Sequence, residues 1–137
     1  MERFVSAQAG VYEDALAELR AGRKRSHWIW FVFPQIEGLG SSSTARHYAI
    51  KSLDEARAYL RHAVVGARLL DCTRAVNAIE GRSAHAIFGT PDDLKFRSSM
   101  TLFELASEGQ SEFSAALDKY YNGERDAATL KILGRSA

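Results

Sequence analysis

His27-Trp28-Ile29-Trp30-Phe31-Val32-Phe33, closed by Pro34-Gln35, holds both tryptophans of the chain and two of its seven phenylalanines. Each aromatic side chain removes ~150–250 Å² from water when buried, so this segment can seed a core by itself. Whether it does so as strand or helix decides the fold class. The block is apolar on every side, so its periodicity is silent. A lone strand leaves its backbone groups unpaired, and no second alternating, β-branched run exists to pair with it. A helix satisfies its own hydrogen bonds, and Pro34 then stops it by disfavouring helical geometry at Phe33. The reading is a buried helix and an all-α fold around it.

Working outward, residues 2–21 read as a helix broken near Gly10, with Phe4, Val5, Tyr12, Leu16 and Leu19 near helical spacing and Gly22 as its C-terminal cap. Asp14 and Glu18 fall on the opposite face, where water can reach them. Residues 34–43 read as loop. Ser52-Leu53-Asp54-Glu55 spells a capping box that opens a helix to about His62. Gly66 opens or interrupts a helix that runs to Ile79. Ser83 caps one or two turns ending at Phe88. Thr90-Pro91-Asp92-Asp93 starts a longer helix, with Thr as cap, Pro in the first position and acids at the positive end of the dipole. Its buried stripe is Phe96, Met100, Phe103 and Ala106. Ser111 and Asp126 open the last two helices. The expectation is a single domain over residues 1–137, with six to eight helices around the Trp/Phe-rich buried helix.

Composition narrows the function classes. Apolar residues are 46% and charged residues 26%, ordinary for a globular protein. Eighteen basic against seventeen acidic side chains leave +1, so no global field favours nucleic acid or a membrane surface. The dense basic cluster is Arg20, Arg23, Lys24 and Arg25. Cys72 is the only cysteine, which forbids an internal disulfide and points to a reducing compartment. No apolar run approaches the ~20 residues of a membrane span. Glu2 and Arg3 stand where a signal peptide would turn apolar, so the cytoplasm is the expected location.

The histidines His27, His47, His62 and His85 are scattered, none paired at the spacing of a zinc protease, so no metal or cofactor is expected. Gly38-Leu39-Gly40 lacks the spacing of a phosphate loop and has no βαβ unit around it. Lys95 and Ser98 lie one helical turn apart, but in the order opposite to the Ser-x-x-Lys arrangement of known hydrolases. Asp92, Lys95 and Ser99 form a polar stripe beside the Phe96 face. As open surface its ion pair is worth ~0.2–0.5 kcal/mol. As a cleft wall it offers a cation, an acceptor and a hydroxyl.

These residues carry a resemblance. Arg23-Lys24 with the segment 27–35, Ala49-Ile50, Glu55-Ala56 with Tyr59-Leu60, Ile87-Phe88-Gly89 and the run from Asp92 through Phe103 resemble the domain-of-unknown-function 1810 family over about residues 4–133. The resemblance implies a small, mainly helical protein whose activity is unassigned, and it supplies no catalytic residue. A "calpastatin" label carried by some members does not fit, because a calpain inhibitor of that kind is a long disordered chain.

Two functions follow as expectations. One is a small-ligand site between segments 27–35 and 92–99. Lys24, His27, Gln35, Lys95 and Ser99 would line it, Trp28 or Trp30 would offer a stacking platform, and Asp92 and Ser98 are its further candidates. An anionic, nucleotide-like ligand suits that mixture. The other is a protein-interaction or regulatory module in which the same residues are core, caps and surface. Whether a reaction is catalysed, and the oligomeric state, stay open at this level.

Overall fold

The computed structural model describes residues 1–108 and 111–134. The expected domain of residues 1–137 thus includes positions 109–110 and 135–137, which lie outside the described residues. Among the described residues ten helices follow one another: α1 (Glu2–Gln8), α2 (Tyr12–Arg20), α3 (Ile29–Val32), α4 (Ser43–His47), α5 (Leu53–Arg61), α6 (Val65–Asn77), α7 (Ala84–Phe88), α8 (Asp92–Ser107), α9 (Glu112–Tyr121) and α10 (Ala127–Ile132). The count exceeds the expected six to eight because the first helix splits around Gly10 and because α4 forms within and beyond the serine run. Ser42 caps α4, accepting from the Ala45 amide at 3.1 Å.

The Trp/Phe-rich helix is shorter than its sequence suggests. α3 is a single turn; Trp28 precedes it with φ −140° and Phe33 follows it at φ −123°, ψ 73°. Pro34 accounts for the second boundary, since its ring disfavours helical geometry at Phe33. The chain then pairs after all. Ile36 forms one parallel bridge to Ile50, with Glu37 N–H donating to Ile50 O and Ile50 N–H to Gln35 O, both at 2.8 Å. So brief a bridge leaves no alternating pattern in the sequence.

The central element is α8, which packs against α3, α5, α7, α9 and α10. A helix covered on several sides should be apolar all round, yet Ser98, Ser99 and Thr101 are buried on it beside Phe96, Met100, Leu102 and Phe103. Small residues let the neighbouring helices approach. Two of the hydroxyls are satisfied by their own helix: Ser98 donates to Leu94 O at 3.1 Å and Thr101 to Arg97 O at 2.9 Å. Phe96 meets the aromatic segment directly, its ring 4.9 Å from Phe33 and 4.6 Å from Phe88. A second chain of rings runs Phe4–Tyr59–Phe103–Phe113 at 5.1, 5.3 and 5.8 Å. Edge-to-face and offset pairs at such spacings add to the area they bury.

Local capping follows the sequence at Ser52, Ser83, Ser111 and Asp126, each of whose side chains accepts from the amide three residues on. Thr90 is the exception. Its hydroxyl bonds His85 Nδ1 at 2.9 Å, and α8 begins at Asp92 without a side-chain cap. Among the described residues no helix is long and apolar enough to cross a membrane.

Candidate functional site

Lys24 leaves α2 held by its amide, which donates to Ile87 O at 2.7 Å. Its side chain is only 6% exposed, and Nζ lies 2.8 Å from Asp92 Oδ2 and 5.0 Å from the Trp28 ring centre. The other carboxylate oxygen of Asp92 faces Lys95 Nζ at 3.7 Å, and that ammonium sits 4.7 Å from the ring centre of Trp30. One carboxylate in the first turn of α8 therefore bridges two ammonium groups, each over an indole. The cation–π attraction and the ion pair act on the same two lysines, which holds α8 against the aromatic segment.

Trp28 is wholly buried and its indole N–H donates to Glu18 Oε1 at 3.0 Å. Glu18 also accepts from the Arg25 amide at 2.7 Å, the Ser26 amide at 2.9 Å and the Ser26 hydroxyl. This glutamate, partly open to water as expected, is also the clasp of the α2–α3 connection. Burial pushes its carboxyl up, but the hydrogen bonds from Ser26, Arg25 and Trp28 outweigh that and bring it from 4.5 down to about 2. A carboxyl depressed on folding adds stability above its unfolded pKa and loses it as pH falls through the folded value. Wild-type stability should therefore decline between about pH 5 and pH 2 relative to Glu18→Gln, which starts lower and changes less. Denaturant midpoints at stepped pH read this directly. A gap between the two proteins that stays constant across the window would contradict it.

Beside the Lys95–Trp30 pair lies an open groove of about 440 Å³. Trp30 and Gln35 form one wall, Leu94, Lys95 and Ser98 of α8 the other, and residues 39–42 with Asp126 close the ends. Four of the nine sequence candidates thus line one concavity: Trp30, Gln35, Lys95 and Ser98. Asp92 stands behind Lys95 as its counter-ion. Lys24 opens instead onto a different cleft, with Arg23 and Arg82. Trp28 is sealed in the core, and His27 is exposed outside the groove. Ser99 is fully buried, and among the described residues its hydroxyl has no hydrogen-bond partner.

Asp126 was legible in the sequence only as a cap. It serves as one, accepting from Thr129 N–H at 3.0 Å and from the Thr129 hydroxyl at 2.6 Å, while also reaching the groove. Nothing in its neighbours signalled the second position.

The geometry sorts the chemistry. Ser98 spends its proton on the Leu94 carbonyl and Lys95 is engaged with Asp92 and the Trp30 face, so no hydrogen bond activates the serine as a nucleophile. Burial, then the Asp71 charge, push the Cys72 thiol up to about 12, which keeps it protonated at neutral pH. Among the described residues no three His, Cys, Asp or Glu side chains cluster as a metal ion would need. The groove presents a cation, amide and hydroxyl groups and an indole.

Fold and groove together define a small all-α protein with a mixed polar and aromatic groove beside its central helix. The family described as "Protein of unknown function (DUF1810)" matches residues 1–133, and the chain belongs to that family. The chain is also similar to the conserved hypothetical protein Rv1873 from Mycobacterium tuberculosis, whose crystal structure is 56% identical with a TM-score of 0.96. That match covers 98% of this chain and 96% of the other. No curated protein matches.

Proposed function

We propose that the groove beside Lys95 binds a small anionic, nucleotide-like ligand. The observation that carries this reading is the placement of Lys95. Its ammonium is held over the Trp30 ring by Asp92 and borders the concavity that Gln35 and Ser98 also line. A phosphate drawn to Lys95 would exchange one counter-ion for another, so the cation need not be desolvated anew. The Trp30 indole supplies an apolar wall for a flat ring. Gln35, Ser41 and Ser42 offer donors and acceptors that fix orientation.

Adenosine monophosphate is a suitable probe, with tryptophan emission as the readout, because Trp28 is buried and Trp30 is only partly so. Saturable quenching is expected, together with a rise in melting temperature that follows RT ln(1 + [L]/Kd). Lys95→Met should weaken binding by about tenfold or more, the worth of one charge-assisted hydrogen bond. His27→Ala, outside the groove, should bind as wild type does. Equal binding by Lys95→Met and wild type would defeat the proposal.

One observation favours a second reading, that of an interaction module. Leu94 is 55% exposed on the groove wall, and Ile132, 45% exposed, packs near Gly38 at its flank. Apolar groups on the rim of a concavity suit a partner surface. If no nucleotide or sugar phosphate shifts the melting curve, this reading takes precedence.

A further inference from the structure

We infer that the separate cleft between the Arg23–Lys24 connection and the 82–89 segment is a binding site for a phosphoryl oxyanion. The cleft encloses about 420 Å³ and shares no lining residue with the groove beside Lys95. Arg23, Lys24, Arg82 and His85 line it. Lys24 and His85 already stand beside a carboxylate. Lys24 is paired with Asp92 at 2.8 Å, and His85 stands 3.8 Å from Asp93. The two guanidinium groups do not. Arg82 donates to the Ala86 carbonyl at 3.1 Å, and no carboxylate among the described residues pairs with Arg82 or with Arg23.

The fold brings these charges together. Gly22 adopts φ +84°, which turns the chain out of α2, and a Cβ at that position would lie 3.3 Å from Cδ of Arg82. The stem of Arg82 therefore passes close over Gly22, where the positive φ itself favours glycine. The Lys24 amide, bonded to Ile87 O, fixes the other side. Holding two like charges in one concavity is unfavourable until an anion occupies it. Guanidinium groups present planar, forked donors that match a tetrahedral oxyanion. The shared chemistry is the phosphoryl group, either as free phosphate or as the monoester of a small molecule.

The test is an amide chemical-shift titration of the full chain with inorganic phosphate and, separately, with glycerol phosphate. Chloride at matched ionic strength serves as the non-specific control. Saturable shifts centred on Lys24, Ala86 and Gly89 are expected. Arg82→Gln and Arg23→Gln, both surface changes, should each weaken binding by about tenfold while melting near wild type. Saturation by phosphate alone assigns the free ion, and saturation by both probes assigns a monoester; either supports the site. Linear shifts that chloride reproduces, or full affinity in Arg82→Gln, would overturn it.

Discussion

Gly66→Ala is expected to lower the melting temperature by about 10 °C or more, against the direction that helix propensity alone would give. Gly66 lies in the first turn of α6, where alanine normally gains ~0.8–1 kcal/mol over glycine. Here a Cβ would lie 2.3 Å from the Leu60 carbonyl oxygen and 2.8 Å from that of Tyr59. Both oxygens belong to the backbone of α5, so no side chain can swing aside. Either α6 withdraws from α5 or the end of α5 unwinds. Tyr59, fully buried against Phe4 and Phe103, would be displaced in both cases. Overpacking against rigid backbone costs ~3 kcal/mol or more, which exceeds the propensity gain. In a chain of this length that loss corresponds to roughly 10 °C. Thermal unfolding followed by circular dichroism decides the sign, and a melting point at or above wild type would refute the close-approach argument.

Gly66 also shows what the sequence can and cannot disclose about this fold. Its position near a helix start was visible, but a close approach between helices depends on which backbone arrives from elsewhere. Signals that act over three or four residues were readable: the caps at Ser52, Ser83, Ser111 and Asp126, and the stop that Pro34 imposes. Helix type was readable too, because apolar spacing is a local property. The extent of α3 was not. Six aromatic and aliphatic residues in a row, Trp28 to Phe33, look alike as a helix, yet only one turn forms, and Gln8 helps hold it. Gln8 is buried and its amide donates to the Phe31 carbonyl at 2.7 Å and to the Tyr59 hydroxyl at 3.3 Å. Nothing in the residues around Gln8 distinguishes it from a surface glutamine. The Ile36–Ile50 bridge escaped for the same reason, being two hydrogen bonds between loop segments.

The candidate site divides along a similar line. That the segment 27–35 meets the start of α8 was an expectation from their shared apolar content, and Phe33 does lie 4.9 Å from Phe96. Which polar side chains share a cavity depends on rotation about α8 and on side-chain direction. Lys95 and Ser98 turn to the groove, while Ser99, one residue on, turns to the core. Lys24 reaches Asp92 from the far side and so supports Lys95 without entering the same concavity. Arg82 carried no signal at all, being 59 positions from Arg23. Glu18 stays partly open to water, as its helical position suggests, but its bonds to Ser26 and Trp28 escaped because helical spacing reports a face and not the loop that later folds over it.

The two tryptophans should separate stability from recognition. Trp28→Ala is expected to cost ~3–5 kcal/mol, the range for emptying a large aromatic site in a core. Its ring is fully buried, 6.1 Å from Phe33, and its indole is one of the groups that hold the Glu18 carboxylate. The cavity and the weakened clasp act on the same connection, so α2 and α3 should loosen together. Trp30→Ala should cost only ~1–2 kcal/mol, because part of the ring already meets water and the Lys95 contact adds ~0.5–1 kcal/mol. On the groove reading it should nevertheless weaken adenosine monophosphate by about tenfold, as the loss of a stacking face does. Trp28→Phe keeps most of the buried area but has no N–H for Glu18. It should bind the nucleotide as wild type does, yet lose part of the stability that depends on ionised Glu18. Urea midpoints and nucleotide titrations on the three variants provide the comparison. If Trp30→Ala proves the more destabilising change, or leaves nucleotide binding intact, Trp30 is a structural wall and the groove reading loses its aromatic platform.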